Sequence, residues 1–146
     1  MKRILFTFLV LASVVSACAS KTSPTPAVTM TVSMGNVEKT YKLADLQALG
    51  KVQETFKTVT YIGVPLSAVL KDAGIDPASL AAVKVVGSDG YTVNYDPALF
   101  NLPDTMVAYA RADGALADTE APFTMVLPGQ EGKMNARMVV KIVAVP

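Results

Sequence analysis

The chain has no histidine, no tryptophan and a single cysteine in 146 residues. Without histidine it lacks the commonest general base and the commonest nitrogen ligand for metals. Serine–histidine–aspartate and cysteine–histidine catalysis are therefore excluded, as are zinc sites of the usual histidine and cysteine type. One cysteine allows no internal disulfide, so stability has to come from a packed core. An excess of one charge is also missing. Thirteen Lys and Arg stand against twelve Asp and Glu, a formal net charge of +1, and no basic patch is visible. Nucleic acid is not an expected partner. The long apolar run, Ile4 to Val15, is too short to span a bilayer well, which takes about 20 apolar residues.

What is there begins with that run. Met1-Lys2-Arg3 is a short basic start, the apolar stretch is broken only by Thr7 and Ser13, and Ser16, Ala17 and Cys18 follow. This is the layout of a secretory signal. Val15-Ser16-Ala17-Cys18 resembles the bacterial lipobox, an aliphatic residue and two small ones before a cysteine. The resemblance implies cleavage before Cys18, several acyl chains on the new terminus and stable membrane attachment, which takes two chains or more. Ala19 follows the cysteine, where an aspartate would suggest retention at the inner membrane. Residues 1–17 are read as the signal peptide. Residues 18–27 are the lipidated Cys18 and a Ser-, Thr- and Pro-rich tether. Residues 28–146 are one globular domain, held at the cell envelope on its exported side.

In that domain, period-two alternation predicts a strand from Val28 to Ser33 with Val28, Met30 and Val32 inward. Gly35-Asn36 turns it into a hairpin with Val37 to Leu43. Leu43, Leu46 and Leu49 share a helical face that Gly50 ends. Lys51 to Tyr61 reads as extended. Gly63-Val64-Pro65-Leu66 opens a helix with Pro65 near its first turn and Leu66, Val69 and Leu70 buried. Strands follow at Ala82–Val86, Tyr91–Tyr95, Thr105–Ala110, Phe123–Leu127 and Arg137–Val145. Many strands, two or three short helices and no regular βαβ alternation predict an α+β fold with mixed or antiparallel sheets.

Several segments, in order, resemble the oxidoreductase molybdopterin-binding domain of the sulfite oxidase family. They are Tyr61-Ile62-Gly63-Val64-Pro65-Leu66 with Ala73-Gly74-Ile75, then Ser88-Asp89-Gly90-Tyr91, Val107-Ala108-Tyr109, Asp113-Gly114-Ala115-Leu116, Ala121-Pro122-Phe123, Val126-Leu127-Pro128-Gly129 and Ala136-Arg137. The resemblance implies that family's fold and a molybdopterin cofactor. In catalytic members a cysteine upstream of the Gly-Val-Pro-Leu segment ligates molybdenum. Here that stretch, Lys51 to Thr60, contains none. Arg137 matches the arginine of a closing Arg-Ser-Val-Lys motif, but Met138 and Val140 replace its serine and lysine. A thiolate is hard to replace by an oxygen ligand on this metal.

The expectation is a non-catalytic module that binds a ligand or a partner, with no catalytic residue, no metal ligand and no cofactor. The other reading is a molybdopterin-dependent oxidoreductase subunit with atypical metal ligation. Tyr91 and Arg137 are the candidate ligand contacts. Tyr61, Tyr95 and Tyr109 fall near strand ends, where aromatic and polar atoms together suit a groove. Arg111 and Lys133 are further cations for an anion. Among the acids, Asp89, Asp96, Asp104, Glu120 and Glu131, no spacing singles out a catalytic pair, and Asp89 shapes the turn before Gly90. Met30, Met34, Met134 and Met138 are soft enough for Cu(I), and equally fill core gaps.

Overall fold

Alternating small polar and apolar residues make the first hairpin. The computed structural model describes residues 28–146, so the export signal, Cys18 and the tether lie outside the described residues. Strand β1 (Thr29–Met34) buries Met30 and Val32 and pairs antiparallel with β2 (Val37–Lys42) across Gly35-Asn36, Gly35 taking φ +56°. Val28 lies before the strand and is exposed, so it is not part of the inward set. Helix α1 (Leu43–Ala48) begins where the Lys42 backbone N–H donates to the Asp45 carboxylate at 2.7 Å. Leu46 is its buried residue. Leu43, expected on the same face, is the first residue of the helix and is exposed, while Leu49 packs against the main core.

Lys51 to Tyr61 is not one extended segment. It is a hairpin of β3 (Val52–Phe56) and β4 (Val59–Pro65), closed by Lys57-Thr58 with Lys57 at φ +57°. Gly63 and Val64 belong to β4, and helix α2 (Leu66–Asp72) starts only after Pro65. Its buried face is Leu66, Val69 and Leu70, as the spacing predicts. A 3-10 turn at Pro77–Ser79 leads to β5 (Ala82–Gly87) and β6 (Thr92–Tyr95). The short α3 (Pro97–Phe100) is capped by Asp96, whose carboxylate accepts from the Leu99 N–H at 3.0 Å. Then come β7 (Met106–Arg111), β8 (Gly114–Ala115), β9 (Thr124–Val126), a 3-10 turn at Gly132–Met134 and β10 (Val139–Val145).

The strands form two sheets. One has the order β2-β1-β10-β5-β6, and among the described residues its single parallel pair is β1 with β10. The other has the order β3-β4-β7-β8, with β9 also on β7, all antiparallel. This is the expected α+β fold with mixed and antiparallel sheets. The main core lies on the inner side of the first sheet and takes in α2 and Phe123. A smaller cluster of Tyr61, Met106, Ala108, Leu116 and Val126 belongs to the second sheet. Met30 is buried, and Met34 and Met134 pack against the main core, so these thioethers serve packing.

Two core tyrosines set the alkaline behaviour. Tyr95 is buried and donates to the Met134 carbonyl at 2.6 Å. Tyr41 is buried and donates to the Asp72 carboxylate at 2.8 Å. Burial pushes both phenols well above the usual tyrosine range, and the Asp72 hydrogen bond adds to the shift of Tyr41. A folded-state pKa above the unfolded one means the contribution is complete below about pH 10 and is lost as pH rises beyond it. Urea midpoints should therefore fall above about pH 10, with a slope approaching about 1.4 kcal/mol per pH unit from Tyr95. A Tyr95→Phe variant should be less stable at neutral pH but show a shallower alkaline fall. An unchanged slope would remove Tyr95 from this account.

Candidate functional site

A cleft of about 270 Å³ opens where the ends of both sheets meet. Each wall has a local cause. The tight β3–β4 turn brings Phe56 and Lys57 to one side, with the Lys57 ammonium 5.5 Å from the Phe56 ring centre. The β5–β6 turn brings Asp89 and Tyr91. There the Asp89 carboxylate accepts from the Tyr91 N–H at 2.9 Å, as an aspartate before glycine does in such turns. The Tyr91 hydroxyl reaches across to donate to the Lys133 carbonyl at 2.7 Å, tying that turn to the 3-10 turn at Gly132–Met134. Asn135 fixes the same segment from beneath, accepting from the Leu127 N–H at 2.7 Å.

Arg137 is held between these parts by its neighbour. Met138 adopts φ +53°, uncommon for a residue with a Cβ and worth a functional look. That conformation lets the Met138 N–H donate to the Glu120 carbonyl at 3.1 Å while its carbonyl accepts from the Ser88 N–H at 2.8 Å. The exposed Arg137 side chain has no carboxylate partner among the described residues. Lys133 pairs with Glu131 at 2.8 Å, but both are largely exposed, and such pairs hold little energy.

The floor carries a buried acid. Glu120 accepts from the Tyr61 hydroxyl at 2.8 Å and from two Arg111 nitrogens at 2.8 and 3.0 Å. The Tyr61 phenol is pushed up by burial and then by the bond to Glu120, while Arg111 and Arg137 pull it back. Tyr61 therefore stays a proton donor at neutral pH.

Tyr91 and Arg137, far apart in the sequence, thus line one cleft, together with Tyr61, Asp89, Glu120 and Lys133. Arg111 serves Glu120 from behind. Tyr95 and Tyr109 pack with the core, Asp96 caps α3, and Asp104 is not at the cleft. Phe56, Lys57, Thr124 and Asn135 are cleft residues that the sequence reading did not select. The available signal for Lys57 was the polar pair Lys57-Thr58 between two stretches of strand formers, Val52 to Phe56 and Val59 to Tyr61.

The family model described as the oxidoreductase molybdopterin binding domain matches residues 19–146. The chain belongs to this family. Among solved structures, the sulfane dehydrogenase SoxCD from Paracoccus pantotrophus superposes with a TM-score of 0.68 at 19% identity. The match covers 80% of this chain and 38% of that one, so the chain spans well under half of its relative's length. At this identity the likeness shows the fold. No curated protein matches the sequence.

The family's cofactor can be tested against the donors present. Lys57, Lys133 and Arg137 suit an anionic group, and of the two carboxylates in the same lining Glu120 is held by Arg111 and Asp89 by the Tyr91 N–H. The metal half of the cofactor fits poorly. Residues 28–146 contain no histidine and no cysteine, and no group of three His, Cys, Asp or Glu among the described residues could hold a metal ion. The resemblance places the ligating cysteine within Lys51 to Thr60. The two residues of that stretch that line the cleft are Phe56 and Lys57, neither of them a soft donor.

Proposed function

We propose that the chain is an exported, lipid-anchored member of the molybdopterin-binding-domain family whose cleft binds an anionic ligand or partner group and runs no molybdenum chemistry. The observation that carries this reading is the content of the cleft. It combines Arg137 and Lys57, neither with a carboxylate partner among the described residues, with Lys133, which pairs with Glu131, while the stretch where a thiolate would be needed gives the cleft only Phe56 and Lys57. Small-molecule sites occupy about 300–1,000 Å³, so this cleft suits a small group better than a large one. Export and anchoring are supported by the basic start, the apolar run and Val15-Ser16-Ala17-Cys18. Two or more acyl chains on Cys18 would keep the domain at the envelope surface, on the outer-membrane or periplasmic side in a host with an outer membrane.

A second reading is favoured by the same openness. A cleft that brings cations to Tyr91 and Arg137 also suits the anionic end of a molybdopterin, which would make the chain an oxidoreductase subunit with atypical ligation. The test is the metal and pterin content of the protein purified from a host that makes molybdopterin. Elemental mass spectrometry and pterin fluorescence after oxidation are expected to find neither in folded protein. Stoichiometric molybdenum with pterin would replace the first reading by the second.

A further inference from the structure

The outward side of the five-stranded sheet has the opposite charge from the rest of the domain. Register places Thr29, Thr31 and Ser33 of β1 on that side, beside Lys42, Thr40 and Glu38 of β2. Lys141, Val143 and Val145 of β10 continue it on the other flank of β1, and Val86, Lys84 and Ala82 of β5 follow. Lys42, Lys84, Lys141 and Val145 are exposed, so no element packs over them. Three lysines thus stand against one glutamate. Residues 28–146 as a whole hold ten basic and twelve acidic side chains. None of the three lysines is in an ion pair among the described residues, and residues 1–27 contain no Asp or Glu to pair with them. Between the lysines Ser33 is buried and Thr31, Val86 and Val143 are half-buried, all of them shorter than the lysines that stand around them.

The tether ends at this sheet. Val28, 54% exposed, runs directly into β1. The nine residues Ala19 to Ala27 separate it from Cys18, so that even fully extended the chain from Cys18 to Val28 reaches no more than about 36 Å. We propose that the outward side of this sheet lies against the anionic lipid surface that holds Cys18. The proposal rests on the lipoprotein reading. A short tether converts a weak surface contact into an intramolecular one at high effective concentration, so three lysines suffice to choose an orientation. The contact is electrostatic and should weaken with salt. None of the cleft residues lies on this side, so the cleft stays open while the domain lies down.

The test uses the lipid-bearing protein extracted from producing cells and reconstituted on two kinds of vesicle, phosphatidylethanolamine with phosphatidylglycerol, and phosphatidylcholine alone. Amine labelling is followed residue by residue. On the anionic vesicles Lys42, Lys84 and Lys141 are expected to react several-fold more slowly than on phosphatidylcholine, with Lys51 and Lys71 unchanged. A Lys84→Glu/Lys141→Glu double variant, altered only at exposed positions, should lose the protection of Lys42. Equal rates on both vesicles, with the chain still attached, overturn the proposal. Intact mass reports separately on Cys18. If it carries no acyl chain, the lipoprotein reading fails alone. The free thiol is then coupled to a maleimide lipid, and the same comparison of rates decides the orientation.

Discussion

A Gly63→Ala variant is expected to lose about 3 kcal/mol of stability, read as a lower urea midpoint with an unchanged slope. Gly63 sits on β4 immediately after an irregularity in its pairing with β7. A Cβ there would collide with the Val107 carbonyl oxygen and come within 2.6 Å of the Ala108 Cα. Both obstacles are backbone, so no side chain can swing aside, and β4 must move off β7. Those two strands are the centre of the second sheet, and Val64 and Val107 next to the contact are fully buried in the main core. Overpacking usually costs about 1–3 kcal/mol, and a rigid obstacle puts this site at the upper end. An insoluble variant would agree with the expectation. A midpoint equal to that of the parent would show that the two strands are not held this close.

Replacing Glu120 by alanine is expected to cost about 3 kcal/mol, from an emptied buried site and the stranded Tyr61 hydroxyl. Glu120 is 4% exposed and Tyr61 6%. The bond between them spans the second sheet and the loop before β9, and Arg111 closes it from the other side. Arg111 is partly exposed and finds water when its partner goes. The Tyr61 hydroxyl is buried and loses the carboxylate it donates to. Glu120→Gln keeps an acceptor for Tyr61 and should cost clearly less. Denaturation of the three proteins in parallel gives the order parent, glutamine, alanine. If alanine and glutamine are equally destabilised, charge rather than the buried hydroxyl controls the site. The Glu120 carbonyl also accepts from Met138, so loosening this loop should disturb the setting of Arg137.

Much of the molecule was legible in the amino-acid order because local rules and burial agree there. The hairpin at Gly35-Asn36, the buried face of α2 and the turn at Asp89-Gly90 follow from periodicity and turn chemistry. So does the α+β class, and the ordered series of short segments from Tyr61 to Arg137 carries the family. The errors came where a local pattern has two continuations. Lys51 to Tyr61 is rich in strand formers whether it runs straight or doubles back. Lys57 at positive φ is paid for by the pairing of β3 with β4 and of β4 with β7. Gly63-Val64-Pro65 looks like the approach to a helix, yet the pairing with β7 holds it in a strand up to Pro65.

The sequence by itself determined which chemistries are closed to the domain, because residue types that are absent cannot be supplied by folding. Histidine and a second cysteine are simply not there. It also determined the strand periodicity and the family, since both are written in the order of residues along the chain. Only the tertiary structure decided that Lys57, Tyr91, Glu120 and Arg137 share one cleft, that Glu120 is buried by Tyr61 and Arg111, and that Lys42, Lys84 and Lys141 share one open face. The reason is that these neighbours are joined by strand pairing across long stretches of chain. Pairing register is set by the summed burial of two sheets, and no single segment contains that information.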